Sequence, residues 1–287
     1  MLLLAAKPVA EAMGARTRER AAVFASRHGR KAQLVVVLVG DDPASVIYTT
    51  SKGKKAVELG LDHQTLKFAA TARPEEVREA IQKLNRDDRV DGILIQRPLP
   101  PDFSEDDVMR WVHPLKDVDA FHPENVGLLC LNRPCLQPCT PTGVMEILKH
   151  YGISPAGKTA CVIGRSSIVG KPMAQLLLHA DATVIHCHSR TKNLKELARQ
   201  ADLLVVAAGK RGMVDASYVK PGATVIDVGI HRTSEGKVVG DVDFEAVAKV
   251  AGALTPVPGG VGPMTIAQLL ANTVFAAEQR QMAVDTP

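Results

Sequence analysis

The chain has 287 residues, 46% hydrophobic and 23% charged, with a net charge of +4 from 35 basic and 31 acidic residues. That length fits one large domain or two modest ones, and the balance excludes a disordered chain and gives no basis for a nucleic-acid partner. No stretch approaches the roughly 18 apolar residues of a membrane span, and the apolar run MLLLAA has no basic residue before it, so neither a membrane partner nor a signal peptide is expected. The five cysteines, Cys130, Cys135, Cys139, Cys161 and Cys187, are an odd count that favours reduced thiols and a cytoplasmic location. The spacing of the first three matches no zinc pattern, so no metal is expected.

In chain order, QLVVVLVG (33–40) predicts a strand and residues 43–59 a helix. A second strand is expected at 62–70, then a helix at 74–87 opened by Pro74, Glu75 and Glu76, as a helix N-terminus prefers. VDGILIQRPLP (90–100) reads as a strand stopped by prolines, and 104–113 as a helix with Ser104 at its N-cap. Five prolines between 114 and 141 break the rhythm, so an inter-domain linker and cleft are expected there. Alternation then resumes with a strand at 159–164, a helix at 169–180, a strand at 182–189 and a helix at 193–201. Strands at 202–209 and 222–230, a Gly/Pro-rich loop at 255–263 and an amphipathic helix at 264–280 complete the chain. The expected fold class is α/β, with two lobes built on parallel-rich sheets. The expected domains are 1–120, completed by a C-terminal helix at 265–287, and 141–264.

Several spacings carry chemistry. Tyr48 and Lys52 in YTTSKGKK lie four apart and share one helix face, either solvated or paired at a site. Gln96 stands at a strand's C-terminal end, where open α/β sheets bind ligands. Asp117 and Asp119 flank the expected cleft, as turn caps or ligand contacts. In VIGRSSIVGKP, Gly164, Ser166 and Gly170 follow a strand and open a helix, an arrangement whose backbone amides favour phosphate. After the next strand, Ser189 and Arg190 occupy the place where an acid would hold an NAD ribose. No Asp or Glu occurs between Asp181 and Glu196, and Arg165 adds a second cation, so NADP is the expected cofactor.

VGDDPASVIYTTSKGKKAVELG, DGILIQRPLP, KDVDAFHPENVG, PCTPTG, VIGRSSIVGKPMAQLL, DVGIHR and TPVPGGVGPMT together resemble the bifunctional methylenetetrahydrofolate dehydrogenase/cyclohydrolase family, from near residue 30 to the C-terminal helix. The resemblance implies a folate-binding catalytic lobe, a Rossmann-like NADP lobe, an active-site cleft between them and usually a homodimer. It implies oxidation of 5,10-methylenetetrahydrofolate, then hydrolysis to 10-formyltetrahydrofolate, in one-carbon metabolism that feeds purine, methionine and histidine biosynthesis.

By the same resemblance, Tyr48 lines the pterin, Lys52 is the base or proton shuttle, Gln96 orients Lys52, and Asp119 holds the pterin's donor groups. Asp117 is then structural. Gly164, Arg165, Ser166, Ser189 and Ile230 match the family's NADP contacts, and Gly259, Gly260 and Val261 border the folate site. An amine of ordinary pKa, about 10.4, is a poor base at neutral pH, but a cationic substrate and a partly dry site lower it. The sequence departs from the family at Arg97, where an apolar residue is usual, and at Ala120, where glycine is usual and Ala excludes some positive-φ conformations. If Arg97 faces the cleft, its charge is expected to act on Lys52. A dehydrogenase without cyclohydrolase activity, or a non-catalytic NADP or folate sensor, are the alternative readings.

Overall fold

Two apolar runs rich in β-branched residues, LVVVLV and ACVI, form inner strands of two separate parallel sheets. The computed structural model describes residues 1–285, with side chains through Gln281. The elements begin with β1 (Leu2–Leu3), α1 (Ala6–His28), β2 (Gln33–Val39), α2 (Pro43–Glu58), β3 (Asp62–Phe68) and α3 (Pro74–Arg86). They continue with β4 (Gly92–Ile95), α4 (Glu105–Val108), α5 (Pro123–Cys130), α6 (Cys139–His150), β5 (Thr159–Ile163), α7 (Gly170–His179) and β6 (Thr183–Cys187). The rest are α8 (Leu194–Ala198), β7 (Leu203–Val206), β8 (Thr224–Asp227), β9 (His231–Arg232), β10 (Val238–Val239), α9 (Phe244–Val247), β11 (Ala253–Leu254) and α10 (Gly262–Asp285). No helix among the described residues is long and apolar enough to cross a membrane.

The chain divides into two compact units. One comprises Met1–Glu11 and Pro138–Ala267, and holds a six-stranded sheet in the order β1-β11-β8-β7-β5-β6. Every pairing in it is parallel. From β5 the chain moves to β6 on one side and then to β7 on the other, so the winding reverses at β5. In doubly wound sheets that reversal opens a ligand crevice beyond the strand C-termini. Strand residues Val162, Leu204, Val205 and Ile226 are fully or almost fully buried, as a sheet covered on both faces requires.

The other unit comprises Ala12–Gln137 and the chain from Gln268 onward. Its sheet is β3-β2-β4, again parallel, and its winding reverses at β2. Under this sheet Val35, Val37, Ile81, Ile93, Phe103 and Trp111 form one buried cluster.

Two expectations need correction. The helix foreseen at 104–113 stops at Val108. Ser104 does cap it, but the Trp111 carbonyl is taken by the side chains of Gln82 and Asn85 on α3, which draws the chain into a turn that buries Trp111 and Val112. The proline-rich segment 114–141 is not plain linker. Pro114 and Pro123 sit in the first turns of a 3-10 turn and of α5, where a missing N–H costs nothing, and Pro138 precedes α6. The C-terminal helix runs to Asp285; Thr286 and Pro287, included in the expected range, lie outside the described residues.

Candidate functional site

In the Ala12–Gln137 unit, Asp42 caps α2 by accepting from the Ser45 amide at 2.8 Å, and Pro43 opens the helix. Ser45, Thr49, Gly53 and Ala56 form its buried stripe. Small inward residues let α2 lie close to the sheet, and the adjacent face carries Tyr48 and Lys52. Tyr48 is 47% exposed and Lys52 is half-buried. Gln96 follows β4, is buried, and its amide N–H donates to the Val37 carbonyl at 2.9 Å. Lys52 Nζ donates to Gln96 Oε1 at 2.8 Å, while Gln96 Nε2 donates to the Arg97 carbonyl at 2.6 Å. That second bond fixes which end of the amide faces the lysine.

A β-bridge between Ile93 and Asp117 carries the next segment past the end of β4. Asp117 accepts from the His122 amide at 2.7 Å and from Asn125 Nδ2 at 3.3 Å. Burial pushes its carboxyl up to about 7, and the neighbouring charge of Asp119 adds to the rise. Asp117 therefore supports the turn. Asp119 is half-buried and lines a small pocket with Ile93, Ile95, Arg97, Asp117 and Phe121. Arg97 Nη1 pairs with Glu105 Oε2 at 2.8 Å, and its guanidinium lies 5.5 Å from the Phe121 ring centre. Ala120 adopts φ +62°, so the alanine takes up a left-handed conformation of the kind that suits glycine best. Its amide reaches back to the Asp117 carbonyl at 2.9 Å, which closes the turn and stabilises that conformation.

In the Pro138–Ala267 unit, Gly164 leaves β5 with φ +128°, and a Cβ there would fall 2.1 Å from the Ala207 carbonyl oxygen. A Cβ on Gly170 would meet the Gly164 carbonyl oxygen at 2.1 Å. Both positions therefore require glycine. Ser166 Oγ accepts from the amides of Val169 and Gly170 and steadies the entry to α7. Arg165, Ser166, Ser189 and Arg190 are exposed around the ends of β5 and β6, whose neighbouring turns are joined by the Gly164 amide donating to the Cys187 carbonyl. The cradle a side chain would fill, the open helix start and the cationic rim fit a dinucleotide phosphate. Ile230, 54% exposed, follows β8 and stands near Gly262. Gly259 has φ +98° and its carbonyl accepts from the Ala6 amide, whereas Gly260 and Val261 are buried.

The expected residues lie in both units: Tyr48, Lys52, Gln96 and Asp119 in one, and the residues expected at the nucleotide in the other, together with Gly259, Gly260 and Val261. Sequence reasoning missed the side chains that shape the turns after β5, β6 and β7. His186 Nε2 lies 2.7 Å from the Gly164 carbonyl oxygen, and His188 Nδ1 accepts from the Arg190 amide. Asp241 accepts from the Ala208 and Gly209 amides and pairs with His231 at 2.7 Å. Nothing in the spacing of these residues marks them in advance.

Both parts of the chain match known proteins. Residues 4–119 match the model of the tetrahydrofolate dehydrogenase/cyclohydrolase catalytic domain, and residues 138–281 that of the NAD(P)-binding domain of the same family. The bifunctional protein FolD of Acetivibrio thermocellus is 54% identical over 245 residues, 85% of this chain and 86% of the relative. The crystal structure of the bifunctional FolD enzyme from Campylobacter jejuni superposes with TM-score 0.95 at 47% identity, over 98% of this chain and 99% of that one. The Trypanosoma brucei enzyme, complexed with NADP and an inhibitor, gives TM-score 0.92 at 34% identity, over 98% of each chain. The chain belongs to the tetrahydrofolate dehydrogenase/cyclohydrolase family.

Proposed function

We propose that Lys52, held by Gln96, moves the protons of the hydrolytic half of this enzyme's reaction. The enzyme is an NADP-dependent methylenetetrahydrofolate dehydrogenase and methenyltetrahydrofolate cyclohydrolase of one-carbon metabolism. NADP⁺, when bound, supplies the hydride acceptor for the methylene carbon. Gly164, Arg165, Ser166, Ser189, Arg190 and Ile230 hold the dinucleotide, with Ser189 and Arg190 receiving the 2′-phosphate. Tyr48 presents its aromatic face to the pterin, and Asp119 accepts from the pterin's guanidine-like edge. Gly259, Gly260 and Val261 contribute a firm backbone wall to the folate site. The lobe expected at 1–120 with the C-terminal helix, less Met1–Glu11, which belong to the other unit, carries the folate, and residues 141–264 carry the nucleotide.

The 2.8 Å bond between Lys52 and Gln96 carries this reading. Gln96 spends its N–H on the Arg97 carbonyl, so its oxygen stays turned to the lysine and fixes the amine's position. Positioning is what the first step needs most, whereas opening the methenyl ring requires a proton to be taken from attacking water. Five free thiols support a reducing, cytoplasmic location, and the family resemblance supports a homodimer serving purine, methionine and histidine biosynthesis.

Lys52→Met tests the assignment. With methylenetetrahydrofolate and NADP⁺, the variant is expected to accumulate methenyltetrahydrofolate and to lose its hydrolysis by about 100-fold or more. NADP affinity, measured by calorimetry, stays unchanged. Undiminished hydrolysis would remove Lys52 from the mechanism.

A further inference from the structure

The pocket beside Asp119 is lined by two carboxylates, Asp117 and Asp119, and by one cation, Arg97, which stands where the resemblance places an apolar side chain. Asp117 is buried, and the charge of Asp119 bears on it. Two carboxylates in one pocket oppose joint ionisation, and here Asp117 is the one that keeps its proton, up to about 7. Asp119 must nevertheless be ionised to accept two hydrogen bonds from a guanidine-like edge.

Arg97 lines the same pocket and is fixed on three sides. Its side chain is 21% exposed and pairs with Glu105. Its guanidinium faces the Phe121 ring, and its carbonyl accepts from Gln96. A guanidinium remains charged throughout the working pH range. Glu105 lies on α4 and is 64% exposed, so water screens it and it offsets only part of the arginine's field. The charged groups around the pocket are therefore Asp117 and Asp119 after the bridge to β4, Glu105 on α4, and Lys52 on α2 behind Gln96.

We propose that Arg97 is a positioning residue that keeps Asp119 ionised, and thereby sets the acid limit of folate binding in this enzyme. The inference rests on Asp119 being the folate contact. Its effect falls on substrate affinity at low pH, with hydride transfer from bound substrate left alone.

The test measures the KM for 5,10-methylenetetrahydrofolate in the NADP⁺-dependent reaction, from about pH 5 to about pH 8. Removing a nearby cation raises a carboxyl's pKa, so Arg97→Leu should increase KM by about tenfold at the acid end and leave it unchanged at the alkaline end. Arg97→Lys should restore the unmutated profile. Glu105→Gln, which leaves the arginine in place without its partner, should move the acid limb to lower pH, opposite to Arg97→Leu. The KM for NADP⁺ should not move in any of the three. Profiles that superimpose, a KM raised equally at every pH, or a Glu105→Gln shift in the same direction as Arg97→Leu would each overturn the proposal. Asp119→Asn separates the two readings: it should raise KM at all pH and flatten the profile. If it does neither, Asp119 is not the folate contact, and the role given to Arg97 falls with it.

Discussion

Asp117 sits in surroundings that oppose its charge. Burial and the charge of Asp119 lift its carboxyl to about 7, against hydrogen bonds from the His122 amide and Asn125. In the unfolded chain the same group titrates near about 3.9. Between these values the folded protein holds the proton and the unfolded chain does not, so stability falls as pH rises through that window. The whole effect is at most about 4 kcal/mol. Asparagine keeps an oxygen for the His122 amide and cannot ionise. Asp117→Asn should therefore gain stability relative to the unmutated protein as pH rises from about 4 to about 7, as read by thermal unfolding across that range. A constant offset at every pH would show that Asp117 is ionised in the folded state throughout.

Helix α2 shows how an element is tuned to place one side chain. Glycine in a helix interior costs about 1 kcal/mol relative to alanine, so Gly53, one residue after Lys52, needs a reason. A Cβ at Gly53 would fall 2.5 Å from the His63 ring on β3. Gly53→Ala should therefore lose about 1–3 kcal/mol to overpacking against a gain of about 1 from helix propensity, and should shift Lys52 relative to Gln96. Adding His63→Ala should return the stability and much of the hydrolytic activity. Chemical denaturation of both single variants and the double one measures the coupling, and additive effects would rule the contact out. The shared face of Tyr48 and Lys52 is legible from spacing alone, but the histidine that demands the glycine is not, because it comes from another strand. Helix α1 escapes a sequence reading for a related reason. Its inward positions, Ala6, Val9, Met13, Thr17, Ala21 and Phe24, keep helical spacing but are mostly small, and Thr17 satisfies its hydroxyl on the Met13 carbonyl. Large apolar residues announce a buried stripe, and small ones do not. The early end of α4 depends likewise on partners from α3, Gln82 and Asn85, that no local pattern contains.

At the scale of the whole molecule, the sequence makes the ligands more legible than the supports. Motifs such as Gly164-Arg165-Ser166 are local because phosphate is met by consecutive backbone groups, and local patterns can be read along a chain. The supports are long-range: β1 at the N-terminus pairs with β11, and His186 reaches the Gly164 carbonyl from the next strand. The residues proposed for the nucleotide belong to one unit and those proposed for the folate's pterin to the other. This division makes a quantitative prediction. Arg190→Ala should remove one charge-assisted contact to the 2′-phosphate, about 1.5–3 kcal/mol, and so raise the KM for NADP⁺ by about 10- to 150-fold. NAD⁺ lacks that phosphate, and its kcat/KM should change little. Asp119→Ala should weaken folate by a similar factor through the lost bonds to the pterin. If the two side chains share no partner, their effects on kcat/KM in the double variant should add to within about 0.5 kcal/mol. Equal losses for NADP⁺ and NAD⁺ in Arg190→Ala would deny the arginine its role in choosing the nucleotide. A double variant far from additive would show that folate and nucleotide binding are energetically coupled, so that neither side chain acts on its own ligand alone.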